Sequence, residues 1–309
     1  MSENNTQNLA NRENFSQFFR RKIAPNLRAF EAQRIRTLIL YRILNTLGVT
    51  LQGAILFFIF PTDNEISEAV FLPIIIFCGL AQWIKKSYTR KVKAKIFDTL
   101  FSFLGNFKYI ENNSIFTTSA KYKAIPMIGN FNRTPVVDDY IEGTYKNLPV
   151  TIEELHLRYV SGSGKRRHER TVYKGLLFTF PQLKKTAATI ITANRGFSYA
   201  TKAKEIVKLE DVEYEKIYET SSDDQIEARY ILTPKFMEKL KQLKAKKMNV
   251  AVCFHAKNIY IGIRTNKDMF EPSITRPVTD IVSYRQVINE LKDILEIIDI
   301  LELEKKAIL

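Results

Sequence analysis

The sequence has little of what most often carries chemistry. Two cysteines and three histidines occur among 309 residues. Cys78 falls in a long apolar run and Cys253 far from it in the part read as soluble, so no structural disulfide is expected and a reducing cytoplasm is consistent with the pair. His156, His168 and His255 have no ligand spacing with one another, and Cys253 with His255 makes a single pair on one strand face, short of a metal site. There is no nucleophile elbow and no Gly-rich dinucleotide fingerprint. Ser161-Gly162-Ser163-Gly164-Lys165 misses the phosphate-loop pattern twice, with Tyr159 where a glycine is needed and Arg166 where a hydroxyl is needed. It reads as a flexible hairpin turn. The carboxylate pairs Asp138-Asp139, Glu153-Glu154 and Asp223-Asp224 are adjacent in sequence, and neighbours in a strand point to opposite faces. Turns and helix caps explain them before shared proton transfer does. No cofactor and no metal is expected.

What the sequence has is two long apolar runs, Leu38 to Phe60 and Ile66 to Ile84. Their lengths bracket the roughly 20 helical residues needed to cross a hydrocarbon layer of about 30 Å. In lipid the backbone must bond to itself, so both read as helices, joined by the acidic turn Pro61-Thr62-Asp63-Asn64-Glu65. Arg20, Arg21, Lys22, Arg28, Arg34 and Arg36 precede the first run, and Lys85, Lys86, Arg90, Lys91, Lys93 and Lys95 follow the second. The positive-inside rule puts both termini in the cytoplasm. Tyr41, Trp83 and Tyr88 stand at the same boundary, where amphipathic rings favour the headgroup level. Asn45, Gly48 and Gln52 share one stripe of the first helix. Small and amide residues at that spacing read first as transmembrane packing, and second as part of a transport pathway built by several copies. The first apolar run begins too deep for a cleavable leader.

A net charge of +14 raises nucleic acid as a partner, but its distribution argues otherwise. Residues 1–36 carry seven Lys/Arg against three Asp/Glu and residues 85–123 carry nine against two, while 124–309 carry 30 against 25. The excess lies beside the apolar runs, which fits an anionic lipid surface. The densest cluster elsewhere is Lys165, Arg166, Arg167, His168 and Arg170 at the Gly/Ser turn, read as a solvated tip or as a contact for an anionic partner.

Residues 1–14 are polar and expected to stay unordered. Phe15, Phe18, Phe19 and Ile23 recur at helical spacing opposite Arg20, Arg21 and Lys22, which suits a helix in the membrane interface, interrupted at Pro25. Val92, Ile96, Leu100 and Phe103 extend the second span as an amphipathic stalk that stops at Gly105-Asn106. Residues 107–133 show no clean period and are expected to hold a short helix and a connection. Strands are expected at Tyr140–Tyr145, Pro149–Val160 with a bulge at Glu153-Glu154, Glu169–Phe180, Ala187–Thr192 and Lys216–Thr220. Ser222-Asp223-Asp224-Gln225 has capping-box form and opens a short helix. Thr233-Pro234 opens another, with Phe236, Leu240 and Leu243 inward and Lys235, Lys239, Lys241 and Lys244 outward. Residues 250–263 alternate as a hairpin turning at His255 to Asn258. From Ser283 to Glu304 a broad apolar helical face suits docking on the domain's own sheet, with self-association as the other use of that seam.

Four segments in this order carry a resemblance: Asp139 to Gly143, Thr171 to Phe178, Ser222 through Met237, and Met269-Phe270-Glu271-Pro272. With the paired apolar runs after a Pro-containing basic helix, they resemble the bacterial membrane protein family catalogued as domain of unknown function 3137, over roughly residues 20–305. The resemblance implies architecture, a bacterial inner-membrane location and no known activity or catalytic residues. The fold class expected is thus a cytoplasmic α+β domain of antiparallel β-hairpins and packed helices behind an N-terminal two-helix transmembrane hairpin. Its parts are a polar tail and basic interfacial helix (1–36), the hairpin (37–86), a basic stalk and connection (87–123) and the domain (124–309).

The function expected is a membrane-anchored, partner-binding or membrane-surface scaffold that catalyses nothing. Arg20, Arg21, Lys22, Trp83, Lys85, Lys86, Arg90 and Lys91 would meet the membrane surface, Asn45, Gly48 and Gln52 would pack the spans, and Lys165, Arg166 and Arg167 would meet an anionic partner. The partners called for are a lipid bilayer with anionic headgroups, a protein that could itself be membrane-bound, and a second copy of the chain; nucleic acid is not. One rival is an enzyme acting on a lipid or envelope precursor through Glu153, Glu154, Arg158, Asp223 or Arg229; another is a component of an oligomeric channel or transporter.

Overall fold

The computed structural model describes residues 14–59, 71–111, 118–193, 205–265 and 269–301. The chain divides into two compact units, Met1–Phe103 with Glu271–Arg285, and Leu104–Phe270 with Gln286–Leu309. The expected polar tail up to residue 13 and the acidic turn at 61–65 lie outside the described residues.

The first unit is helical. Asn14 caps α1 (Phe15–Phe18) by accepting from the Ser16 N–H, a π-helical turn follows at Phe19–Ile23, and α2 runs through Ala24–Ile59. Pro25 does not interrupt the helix as expected. A proline ring clashes with the carbonyl four residues back, and the wider π turn just before it, in which the Ala24 N–H bonds to the Phe19 carbonyl, makes room. The face of Phe15, Phe19, Ile23 and Leu27 is buried in protein rather than offered to lipid: Phe15 and Phe18 each lie 5.2 Å from the Phe103 ring, and Phe19 lies 5.4 Å from Tyr284. After α3 begins at Leu72–Phe101, with Pro73 in its first turn, it runs antiparallel to α2: Gln82 donates to the Tyr41 hydroxyl at 3.3 Å, and Gly48 lies against Phe77. Val92, Ile96 and Leu100 are buried as the amphipathic pattern predicts. Among the described residues one helix, over Phe15–Phe58, is long and apolar enough to cross a membrane. The expected second span begins outside the described residues, so two crossings are not established.

The second unit is a seven-stranded antiparallel sheet with packed helices, as expected of the α+β class. Its elements are β1 (Asn106–Glu111), α4 (Ser119–Lys123), β2 (Val136–Tyr145), β3 (Leu148–Ser161), β4 (His168–Ala193), β5 (Glu205–Ile206), α5 (Val212–Ile217), β6 (Tyr218–Ser222), α6 (Gln225–Ile231), α7 (Pro234–Ala245) and β7 (Asn249–Arg264). The sheet order is β1-β2-β3-β4-β6-β5, and β7 pairs with β4 as well. Helix α8 (Ile281–Ile300) contributes its residues from Gln286 onward. Lys146 and Asn147 both take positive φ, the two-residue turn whose twist suits the β2–β3 hairpin.

Strand β4 joins the two stretches expected as separate strands. Its partner β7 is likewise one strand, not the expected hairpin. Gly175 to Pro181 pair with Arg264 to Asn258, and Thr186 to Ile191 pair with Ala256 to Val252, so both strands bend at the same place. The polar run His255 to Asn258 resembles a turn, but a positive φ at Ala256 and register shifts between Pro181 and Thr189 absorb it as a kink. The expected bulge lies across the ladder, at Asp138 between Val137 and Asp139, with another shift at Leu157/Arg158.

Four further differences have simple causes. The aperiodic stretch around 107–133 supplies β1 and a core plug, Tyr122, Ile125, Met127, Ile128 and Phe131, packed with Leu155, Leu157, Tyr173 and Cys253; a plug buries residues without a repeating face. Helix α5 precedes β6 where only a strand was expected. The cap of α6 is Asp224, whose carboxylate accepts from Ile226 and Glu227, while the Ser222 hydroxyl is bonded to Asp224 and Thr189. Thr233 caps α7 as expected, with Phe236, Leu240 and Leu243 buried, but Lys239 is buried too. Its ammonium reaches Glu296 at 2.8 Å and Asp293 at 3.6 Å on α8, a compensation no single helix reveals. Ile288, Leu291, Ile294, Leu295, Ile297 and Ile298 of α8 are buried, and Lys246 and Lys146 bind Asp293 and Asp299 at its polar margin. The broad face is core.

Candidate functional site

Three polar groupings are distinct in the second unit. The first is buried. Glu153 accepts from the Lys121 ammonium at 2.8 Å and the Tyr122 hydroxyl at 2.8 Å, which ties α4 to β3. Burial and the charge of Glu153 push the Tyr122 hydroxyl far above its ordinary value. Glu154, on the opposite face, accepts from the Met269 N–H at 2.9 Å and stands across the ladder from Asp139, which takes the Tyr109 hydroxyl. All three carboxylates are almost wholly buried, and each fastens a separate segment.

The other residues weighed for catalysis lie elsewhere. Arg158 binds Glu169 at 2.8 Å near the β3–β4 turn. Asp223 is exposed beside the cap of α6, and the Arg229 guanidinium donates to the Gln225 and Lys208 carbonyls. The structure does not bring these five side chains together.

The second grouping is the β3–β4 tip. Gly162 and Gly164 have φ of 75° and 55°, and Gly164–Arg166 forms a single 3-10 turn. From Arg158 to Arg170, both included, there are five Lys/Arg and one acid, Glu169. Arg158 and Arg167 share Glu169, Arg170 stacks 5.1 Å over Tyr159, and Arg166 projects into solvent.

The third lies at the other end of β4, and the sequence reading passed over it. Residues 205–230 hold nine Asp/Glu against three Lys/Arg. The charge run was visible in the sequence; what the fold adds is that β5, α5, β6 and α6 draw it together. A small cleft of about 80 Å³ there is lined by Lys208, Tyr214, Glu215, Tyr218, Glu219 and Thr220 among others. Several of its polar groups are engaged internally: Glu215 takes the Leu209 N–H at 2.7 Å, Tyr214 bonds to Thr220 at 3.1 Å and Tyr218 donates to the Leu240 carbonyl at 3.0 Å. The Tyr214 N–H, then Lys241, hold the Asp211 carboxyl below its usual range. Burial pushes the Cys253 thiol up to about 12, so it is an inert core side chain.

In the first unit, Arg20, Arg21 and Lys22 are exposed on the π turn, Trp83, Lys86, Arg90 and Lys91 are exposed on α3, and Lys85 is half-buried. Asn45 turns back to donate to the Tyr41 carbonyl at 2.7 Å. Gly48 is buried at Phe77, where a Cβ would come within 3.0 Å of the Phe77 Cβ. Gln52 is buried, and neither of its amide atoms has a hydrogen-bond partner among the described residues. Around this stripe the surface is apolar: Ile39, Ile43, Leu47, Val49, Leu51, Phe57 and Phe58 on α2, and Ile75, Ile76, Leu80 and Trp83 on α3, are all exposed.

Comparison with known proteins gives a family likeness over part of the chain, without an activity. Residues 171–303 match the model of a family described as "Protein of unknown function (DUF3137)", the family that the motifs resemble. The match covers β4 through α8, including the acidic end, and is shorter than the resemblance read from the motifs. No curated protein matches the chain. Among solved structures, the crystal structure of the mycobacterial trehalose monomycolate transport factor A, TtfA, aligns over 65% of this chain and 92% of its own, with 8% identity and a TM-score of 0.35. A likeness at that score carries no argument.

Proposed function

We propose that the chain is a membrane-anchored binding module: α2 and the start of α3 cross a bilayer as a hairpin, both termini face the cytoplasm, and the second unit engages a protein partner without catalysing a reaction. The single observation that carries the reading is the exposed apolar surface shared by α2 and α3. Soluble proteins rarely leave such a belt uncovered, whereas lipid covers it at no cost. The positions of Arg20, Arg21, Lys22, Lys85, Lys86, Arg90 and Lys91 at the cytoplasmic flank support contact with anionic headgroups. At the β3–β4 tip, Lys165, Arg166 and Arg167 are assigned to an anionic partner. The family resemblance supports placing it in a bacterial inner membrane. Binding is favoured over catalysis because the candidate acid and base residues are apart, with Glu153 and Glu154 each spent on a structural contact.

Thiol labelling of the full-length protein tests the topology. With Cys78 and Cys253 replaced by serine, a cysteine introduced as Asn64→Cys should react with an impermeant reagent from outside intact cells. One introduced as Ser163→Cys should react only after permeabilisation. The reverse pattern would overturn the orientation, and reaction of neither until permeabilisation would overturn the double crossing.

A further inference from the structure

The acidic end of the second unit exposes an apolar pair that no described residue covers. On α6, Ile226 is 70% exposed and Tyr230 80%, and their spacing of four places them one above the other on the same stripe. The neighbouring stripe is occupied: Gln225 donates to the Glu205 carboxylate at 3.0 Å, and Arg229 donates to the Lys208 carbonyl at 3.4 Å, which seats the helix on the β5 segment. Ile206 on that segment is 53% exposed as well. The helix keeps its position through Gln225, Ala228 and Arg229, and the side chains of Ile226 and Tyr230 point away from the described residues into solvent.

The surroundings decide what would cover them. Glu205, Glu210, Glu213, Glu219, Asp223 and Asp224 are exposed around this end, outnumbering the exposed Lys208 and Lys216; Lys241 pairs with Asp211, and Arg229 directs its guanidinium to backbone carbonyls. In a chain whose net charge is +14, residues 205–230 at this end carry nine acids against three bases. An anionic bilayer would be repelled from it, and an acidic protein likewise. A cationic segment carrying apolar anchors satisfies both features, because its lysines or arginines meet the rim while its apolar side chains cover Ile226 and Tyr230.

We infer that the exposed face of α6, with Ile206 beside it, docks a basic amphipathic segment of a protein partner. This names the partner chemistry for the binding module proposed above and rests on that reading. The basic tip at the far end of β4 takes no part in it. The aromatic and branched side chains supply the contact area, and the acidic rim supplies selectivity and the speed of encounter.

The test uses full-length protein in nanodiscs of zwitterionic phosphatidylcholine, with empty nanodiscs as blank. The probes are a labelled twelve-residue Lys/Leu amphipathic peptide and its Glu/Leu counterpart, followed by fluorescence anisotropy. At low salt the Lys/Leu peptide should bind at least about tenfold more tightly than the Glu/Leu peptide, and Ile226→Ser with Tyr230→Ser should weaken it by about tenfold. Glu219→Lys should weaken it further and flatten its salt dependence. Both side chains are exposed, so an unchanged unfolding temperature will show that the serine variant is folded. Equal binding of the two peptides, or wild-type affinity in the serine variant, would overturn the assignment. So would anionic vesicles that bind through Ile226 and Tyr230 in place of the peptide, since that makes the pair a lipid wedge. The thiol-labelling pattern is read independently, so a failure here with the topology intact sinks the docking face alone.

Discussion

The Arg34 guanidinium grips Glu31 one helical turn away through three hydrogen bonds of 2.7–3.0 Å, and with its remaining arm donates to the Ile274 carbonyl at 2.7 Å. Glu31 in turn accepts from the Val278 N–H at 3.0 Å. Two residues of α2 thus hold a segment some 240 positions later in the chain. Arg34 is 8% exposed, so truncating it leaves the Ile274 carbonyl without this donor and Glu31 with only the Val278 N–H among the described residues. Arg34→Ala should cost about 2–3 kcal/mol locally, as expected for a charge-assisted bond lost from a part-buried site. Amide exchange at Val278 reads this directly, and protection equal to wild type would show that the clamp does not hold the segment.

The same pair should make that segment sensitive to acid. The Arg34 hydrogen bond holds the Glu31 carboxyl below its ordinary range. A lowered folded-state value contributes stability that is fully present above the unfolded carboxylate value of about 4.3 and is lost as pH falls through the folded value. Exchange at Val278 is therefore expected to be flat from neutral pH to about 5 and to quicken, after correction for intrinsic rates, below about 4. Glu31→Gln should abolish that step. A step of equal size in the variant would assign it to another carboxylate.

Gly175 offers a sharper contrast. Its φ is 145°, and a Cβ there would collide with the Ile263 carbonyl across the β4–β7 ladder. Gly164 also has positive φ, 55°, but nothing stands near its missing Cβ. Gly175→Ala should cost more than about 3 kcal/mol because strain and collision add, whereas Gly164→Ala should cost about 1 kcal/mol. Thermal unfolding of the two variants side by side checks the difference, and equal midpoints would mean that the sheet opens freely at Gly175.

How far the sequence revealed this fold depends on how local each cause is. Thr233-Pro234 announces a helix start because capping is settled within four residues, and the buried row Phe236, Leu240 and Leu243 follows from one period. The Lys146-Asn147 turn and the β2–β3 pair are equally local. By contrast, whether His255 to Asn258 turns or merely kinks is decided by β4, some 70 residues earlier, whose own bend matches it. Lys239 reads as a surface lysine until α8 brings Glu296 and Asp293 beneath it. Residues 118–131 show no period because they fill a hole instead of forming a face. As for the candidate sites, the basic tip was visible as a charge cluster on a Gly/Ser turn. The exposed Ile226 and Tyr230 were not, since an apolar pair in a short helix looks like core until burial is known.

At the β3–β4 tip, reversing two charges should separate solvation from recognition. Arg166 is exposed, and Arg167 reaches Glu169 at only 3.4 Å, so Arg166→Glu with Arg167→Glu should leave the unfolding temperature unchanged. If the tip meets an anionic partner, binding of the nanodisc-held protein to vesicles rich in phosphatidylglycerol should fall by about 1 kcal/mol for each basic residue removed. Unchanged binding would make the cluster a solvated turn.

Gln52 distinguishes packing from a wet pathway within the helical hairpin. It is 7% exposed, and both amide atoms lack a partner among the described residues. Gly48, one turn earlier, lies against Phe77 of α3, and Asn45, before that, spends its amide on the Tyr41 carbonyl. If this stripe only packs, replacing the amide with an apolar side chain of similar size removes an unmet desolvation cost. Gln52→Leu should then stabilise the hairpin by about 1–2 kcal/mol. If the stripe lines a hydrated path in an oligomer, the amide is bonded to water, and the same substitution should destabilise the assembly and change ion flux in reconstituted vesicles. Resistance to unfolding in graded detergent mixtures gives the sign: a gain assigns Asn45, Gly48 and Gln52 to helix packing, and a loss with altered flux assigns them to transport.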